Sequence, residues 1–119
     1  MSVIIEVINI RSGLSLGKKI AVASSFWQRF VGLLGRSELK PEEGLLIERC
    51  NQVHMFFMRF EIGVIFLSPD LTILLTEPCL RLWTFSPKVP DAYSVLELPL
   101  GVLESADCQV GDVLHLAYS

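Results

Sequence analysis

The run at residues 53–67, "VHMFFMRFEIGVIFL", is strand-like in composition from end to end, yet it is too long to be one strand. At about 3.3 Å per residue it would reach roughly 50 Å, whereas a globule formed by 119 residues is only about 35 Å across. The chain must therefore bend or break within this run. Gly63 is the expected place, because glycine inside a strand pattern marks a bulge or a close backbone approach.

On either side the same short-strand pattern continues. "VIIEVINI" is rich in β-branched residues and is bounded by "RSG", which reads as a strand and a turn. "KKIAVAS" predicts a second strand. In "FWQRFVGLLG" the apolar residues at 26, 27, 30, 31, 33 and 34 follow helical spacing. Ser25 with Gln28 forms a capping box and Gly35 supplies a left-handed stop, so one helix is predicted over 25–34. Gly32 inside it implies close packing on a strand, and Phe26 and Trp27 at its start imply core or a lid.

Further along, "SELKPEEG" reads as a loop, "LLIERC" as a strand, and "SPD" as a turn into "LTILLTE". "PCLRLWTFSPKVPDA" is an irregular crossing segment that holds three of the six prolines. "YSVLELPLG" predicts a strand, residues 102–106 a helical turn, and "VGDVLHLAY" a turn and a closing strand. Seven or eight short strands with frequent turns imply a mainly β fold, a compact antiparallel sandwich or small barrel with one short helix. No stretch has the composition of a linker, so a single domain over 1–119 is expected.

Composition narrows the function classes. Thirteen acids outnumber ten Lys and Arg, for a net charge of −3, which argues against a partner held through nucleic-acid phosphates. The richest apolar stretch, "VIFLSPDLTILL", is cut by Ser68, Pro69 and Asp70, so no membrane span is expected. "MSVIIEVINI" has neither the basic opening nor the cleavage site of a signal peptide, and a cytoplasmic location is expected. Cys50, Cys79 and Cys108 include no paired spacing, so neither a disulfide framework nor a zinc ribbon is signalled. "GLLGR" is not a phosphate loop, and no other cofactor fingerprint is present. Half the residues are hydrophobic, 51%, which leaves apolar surface for a partner or for a homodimer joined through a strand edge.

If 54–61 is extended, His54, Phe56, Met58 and Phe60 share one face, and Met55, Phe57, Arg59 and Glu61 share the other. Both faces are apolar enough to be covered, which places Arg59 in a partly buried setting. There its guanidinium either pairs with an acid such as Glu61 or Glu97, or cradles a small anion with Arg81, Lys88 or His54. Cys50 and His54, four apart, permit a thiolate–imidazole dyad, and with Cys108 or His115 a metal site. No orienting third residue or oxyanion donor accompanies them, and a small core cysteine is the simpler account. His115 is expected to face solvent. Trp83 and Phe85 lie in the proline-rich crossing, where aromatic and Arg side chains either anchor a partner or pin the loop to the core.

Several stretches together, "RFVGLLGR", "EGLLIERC", "HMFFMRFEIGVIFL", "VLELPLG" and "VGD", resemble in order and spacing the bacterial and archaeal Domain of Unknown Function 192 family. The resemblance spans roughly 20–117 and implies a compact, mainly β domain with one short helix. For function it implies only an accessory role beside secretion or pilus machinery. Relatives typically read "FMRFPIDVVFLD", whereas this chain has Glu61, Gly63 and Ser68 where proline and the two aspartates stand. A carboxylate-dependent site at the first aspartate would be missing unless Glu61 substitutes for it.

The reading is thus a non-catalytic binding or accessory module, with His54, Arg59, Arg81 and Trp83 facing a small anion or a protein partner, and no catalytic, metal or cofactor residues assigned. The alternative is a small enzyme, or an anion- or metal-binding protein, with its site around His54 and Arg59.

Overall fold

The computed structural model describes residues 3–24, 36–56 and 58–118. The helix expected at 25–34, with Phe26, Trp27 and Gly32, lies outside them. Seven strands are described: β1 (Val3–Asn9), β2 (Ser15–Ala23), β3 (Glu43–Glu48), β4 (Ile62–Leu67), β5 (Ile73–Leu80), β6 (Ser94–Leu98) and β7 (Leu114–Tyr118). One short helix, α1 (Val102–Ser105), follows β6 where the helical turn was expected.

The strands form one sheet in the order β5-β4-β6-β3-β2-β1-β7. Every neighbouring pair is antiparallel except β2 and β3, which run parallel with Ile20 opposite Gly44 and Val22 opposite Leu46. The fold is thus mainly β and mainly antiparallel, as expected, with one parallel pair that the strand pattern did not signal. A parallel pair needs a long crossover, and residues 24–42 are long enough to make one.

The sheet curls until its two edges meet at one end. Thr72, just before β5, bridges Val113, just before β7. Ile73 N donates to Asp112 O at 2.8 Å, and Leu114 N to Leu71 O at 2.9 Å. The result is a half-barrel of one sheet, which decides between the sandwich and barrel alternatives. All seven strands contribute to its inner core, through residues such as Ile5, Leu16, Leu46, Ile65, Ile73, Leu96 and Leu114. Leu103 and Ala106 from α1 join that core.

A second apolar cluster lies on the opposite face of the central strands. There Leu45, Ile47, Val64, Phe66 and Val95 pack under Val53, Met55, Met58 and Leu80. β4 and β6 are consequently buried along their whole length. That double cover is why "VIFL" and "VLEL" read as apolar runs rather than as an alternation. The fully buried Phe66 ring alone contributes about 1.5–3 kcal/mol of burial free energy.

The long run breaks, but not at Gly63. The longest molecular dimension is 35 Å, and among the described residues of the run only the last six, β4, form one of the strands. Arg49 leaves β3 with φ +55°, and the chain then folds back over the sheet as an irregular segment to Glu61. Met55 and Met58 drive this by burying their side chains in the second cluster. Gly63 nevertheless marks both expected features, a register shift against β5 between Ile62 and Val64 and a close approach. A Cβ there would lie 2.7 Å from Leu103 Cδ1.

Candidate binding surface

Two irregular segments, 50–56 and 83–93, cross the second cluster side by side. Cys50 N donates to Tyr93 O at 2.9 Å, Val89 N to Asn51 O at 2.9 Å and Ser86 N to Val53 O at 2.8 Å. Ser86 Oγ accepts from Val53 N at 2.9 Å, His54 bridges Phe85, and Met55 N donates to Thr84 O at 2.8 Å. The pairing is antiparallel, so the two segments make an irregular ribbon. Leu80, Leu82, Val89 and Ala92 hold the second segment against the core.

At one end of the ribbon four rings of the described residues gather. Phe56 packs edge-on to Phe85 with centroids 4.8 Å apart and stacks on Trp83 at 6.0 Å. His54 lies 5.6 Å from Phe56, and its Nδ1 accepts the Phe56 N–H at 3.3 Å. Ring pairs at such spacings are worth about 0.5–1.5 kcal/mol each beyond their burial. The outer rings stay in water: Trp83 is 59% exposed and Phe85 60%. Most of the Trp83 and Phe85 ring surface thus lies outside the core. The Trp83 backbone is also held in the left-handed region, φ +62°, which costs of order 1–3 kcal/mol for such a residue.

The structure brings His54 and Trp83 together through Phe56, a residue assigned by sequence only to a strand face. Because 54–61 is not a strand, the alternation drawn there fails. Met55 and Met58 are both buried, while His54 and Arg59 are both exposed. Arg59 is thus not in a partly buried setting, and among the described residues it makes no ion pair. Glu97, one of the acids considered for it, is buried on the sheet at 5% exposure. Burial alone pushes its carboxyl up to about 7. Arg81 is exposed, and its carbonyl accepts from Thr84 Oγ1 at 2.6 Å.

The dyad and metal alternatives meet other partners. The Cys50 thiol donates to Gln52 O at 3.1 Å, and His115 is exposed on β7. Among the described residues no three His, Cys, Asp or Glu side chains are grouped as metal ligands. Glu61, the substitute considered for the missing aspartate, accepts from the Cys79 thiol at 3.5 Å. The space beside residue 63 is taken by Leu103.

Sequence reasoning missed a polar network at the closed end of the barrel. Asp112 accepts from Arg11 Nε at 2.7 Å, from Asn9 Nδ2 at 3.0 Å and from Gln109 N at 3.0 Å. Arg11 also pairs with Asp107 at 3.0 Å. The hydrogen bond from Arg11, strongest among these, holds the Asp112 carboxyl down to about 2. "VGD" was its only trace in the sequence.

Geometry alone defines the class: a small, mainly β half-barrel whose distinctive surface is a pair of crossed loops with exposed rings. No described helix is long and apolar enough to cross a membrane. The chain belongs to the family described as DUF192, uncharacterized ACR, COG1430, whose model matches residues 8–116. It is similar to a UPF0127 protein of Pyrococcus furiosus, 35% identical over 120 residues that cover 91% of this chain and 95% of the relative. Its fold is like that of a protein of unknown function from Novosphingobium aromaticivorans, with TM-score 0.81, 21% identity, and 96% and 84% of the two chains covered. A putative transcription regulator from Sinorhizobium meliloti aligns with TM-score 0.80 at 22% identity, covering 98% and 94%. At these identities the two structures speak for the fold alone.

Proposed function

We propose that the protein is a small non-catalytic binding module whose contact surface centres on His54, Phe56, Trp83 and Phe85, with Arg59 and Arg81 as its flanking cations. One observation supports this above the others: Trp83 is mostly exposed and is also held in a left-handed backbone conformation. Neither property stabilises the free protein. Exposed aromatic anchors with neighbouring Arg side chains have the composition of interface hot spots.

The occupant is a protein segment that offers apolar side chains to the rings and acidic ones to Arg59 and Arg81. An accessory role in secretion or pilus assembly is part of the same proposal, the segment then belonging to that machinery.

The test is selection of displayed peptides on the wild-type protein, with counter-selection on a Trp83→Ala, Phe85→Ala double variant. Peptides that need the two rings and carry apolar and acidic residues support the proposal. Enrichment indifferent to the double variant, or binding only of nucleic acid in a parallel assay, overturns it. Light scattering at two concentrations separates this partner from a second copy of the chain.

A further inference from the structure

The far end of the crossed-loop ribbon holds a different feature, an open cleft of about 480 Å³ lined by Arg49, Asn51, Lys88 and Tyr93 among others. Among the described residues two cations line it and no carboxylate does. That is the reverse of the chain as a whole, where thirteen acids face ten bases.

The walls are built rather than incidental. Arg49 sits at φ +55° and donates from Nη2 to Ser24 O at 2.6 Å, which fixes the guanidinium at the rim. The Cys50 to Tyr93 and Val89 to Asn51 backbone bonds hold the two sides together. Among the described residues, no hydrogen bond to a protein group engages the Asn51 side-chain amide, the Lys88 ammonium or the Tyr93 hydroxyl, and all three residues line the cleft. A guanidinium, an ammonium and neutral N–H and O–H groups lining one cleft, with no carboxylate among its described lining residues, are the chemistry that a carboxylate or phosphate needs.

We infer that this cleft is an oxyanion-binding site, taking a carboxylate or phosphate group between Lys88 and Arg49 with Asn51 and Tyr93 as neutral donors. It is separate from the aromatic cluster and does not rest on the function proposed for that cluster.

The experiment is an amide NMR titration of the labelled full chain with sodium acetate and with sodium phosphate, at constant ionic strength against a chloride reference. Saturable shifts at residues 49–52 and 88–93 are expected. Lys88→Gln should weaken them about tenfold, the worth of one hydrogen bond to a charged group. Lys18→Gln, a surface lysine elsewhere, and Trp83→Ala should leave them unchanged. Tighter binding of phosphate identifies a phosphoryl group as the natural occupant, and tighter binding of acetate a carboxylate. Shifts that never saturate, that survive Lys88→Gln, or that fall equally with Lys18→Gln overturn the inference.

Discussion

Arg11 Nε donates to Asp112 Oδ1 at 2.7 Å, joining the turn after β1 to the residue that seals β7 against β5. The bond ties the barrel's closure to one carboxylate. Its folded pKa, about 2, lies below the ordinary 3.8, so the folded state binds the proton less readily than the unfolded one. The stability it contributes is complete above about 4 and is lost as pH falls toward 2. Asp112→Asn should lower Tm by several degrees at pH 7 and remove most of that acid sensitivity, as thermal melts from pH 2 to 7 would show. An unchanged acid limb would mean that other carboxylates govern it.

Glu97 acts in the opposite direction. Its folded pKa is raised from 4.5 to about 7, so the folded state holds the proton more tightly. Its penalty is absent below about 4.5, grows as pH rises through 7, and then levels at roughly 3 kcal/mol. Glu97→Gln should be the more stable protein at pH 8 and nearly equal to wild type at pH 4.5. Urea melts at the two pH values decide it, and equal differences at both would show that Glu97 is not titrating.

Gly63 leaves room for Leu103 and for nothing else. A Cβ would lie 2.7 Å from Leu103 Cδ1 and 3.4 Å from Pro78 O. Gly63→Ala should cost about 1–3 kcal/mol, the usual range for overpacking. Adding Leu103→Ala should recover part of what the first change loses, so a double-mutant cycle by urea unfolding should show positive coupling. Additive losses would mean that the contact is not the cause.

Trp83→Gly removes a left-handed non-glycine residue and an exposed ring together. Stability should hold or rise by up to about 1 kcal/mol, while ring-dependent peptide binding should disappear. A fall in Tm of several degrees would instead give Trp83 a structural role through its Phe56 stack.

Strands and turns were legible because they are local. The β-branched runs, the "SPD" turn and the helical turn at 102–106 all depend on neighbours in sequence. The turn at Ser68 shows how local: Ser68 N donates to Thr72 O at 3.0 Å and Ser68 Oγ to Asp70. The parallel pairing of β2 with β3 and the break at Arg49 were not legible, since both follow from which surfaces meet after folding. The site was legible in part. His54 and Trp83 were placed on one surface, yet the Phe56 ring that joins them was assigned to a strand face. Arg59 was expected in partial burial because its apolar neighbours suggested it, whereas Met55 and Met58 turn inward and leave it outside. The Arg49–Tyr93 cleft carried no compact motif, its lining being split between two distant segments.

The position of β6 orders assembly in time. β4 and β5 form one hairpin, and β1 and β2 another, but among the described residues the strand pairing joins the β5-β4 side to the β3-β2-β1-β7 side only through β6 and through the Thr72–Val113 closure. Both seams need chain beyond residue 93. A ribosome releasing this chain from its N-terminus therefore exposes two unjoined half-sheets until the last quarter emerges, when one five-residue strand and one bridge convert them into a single ring.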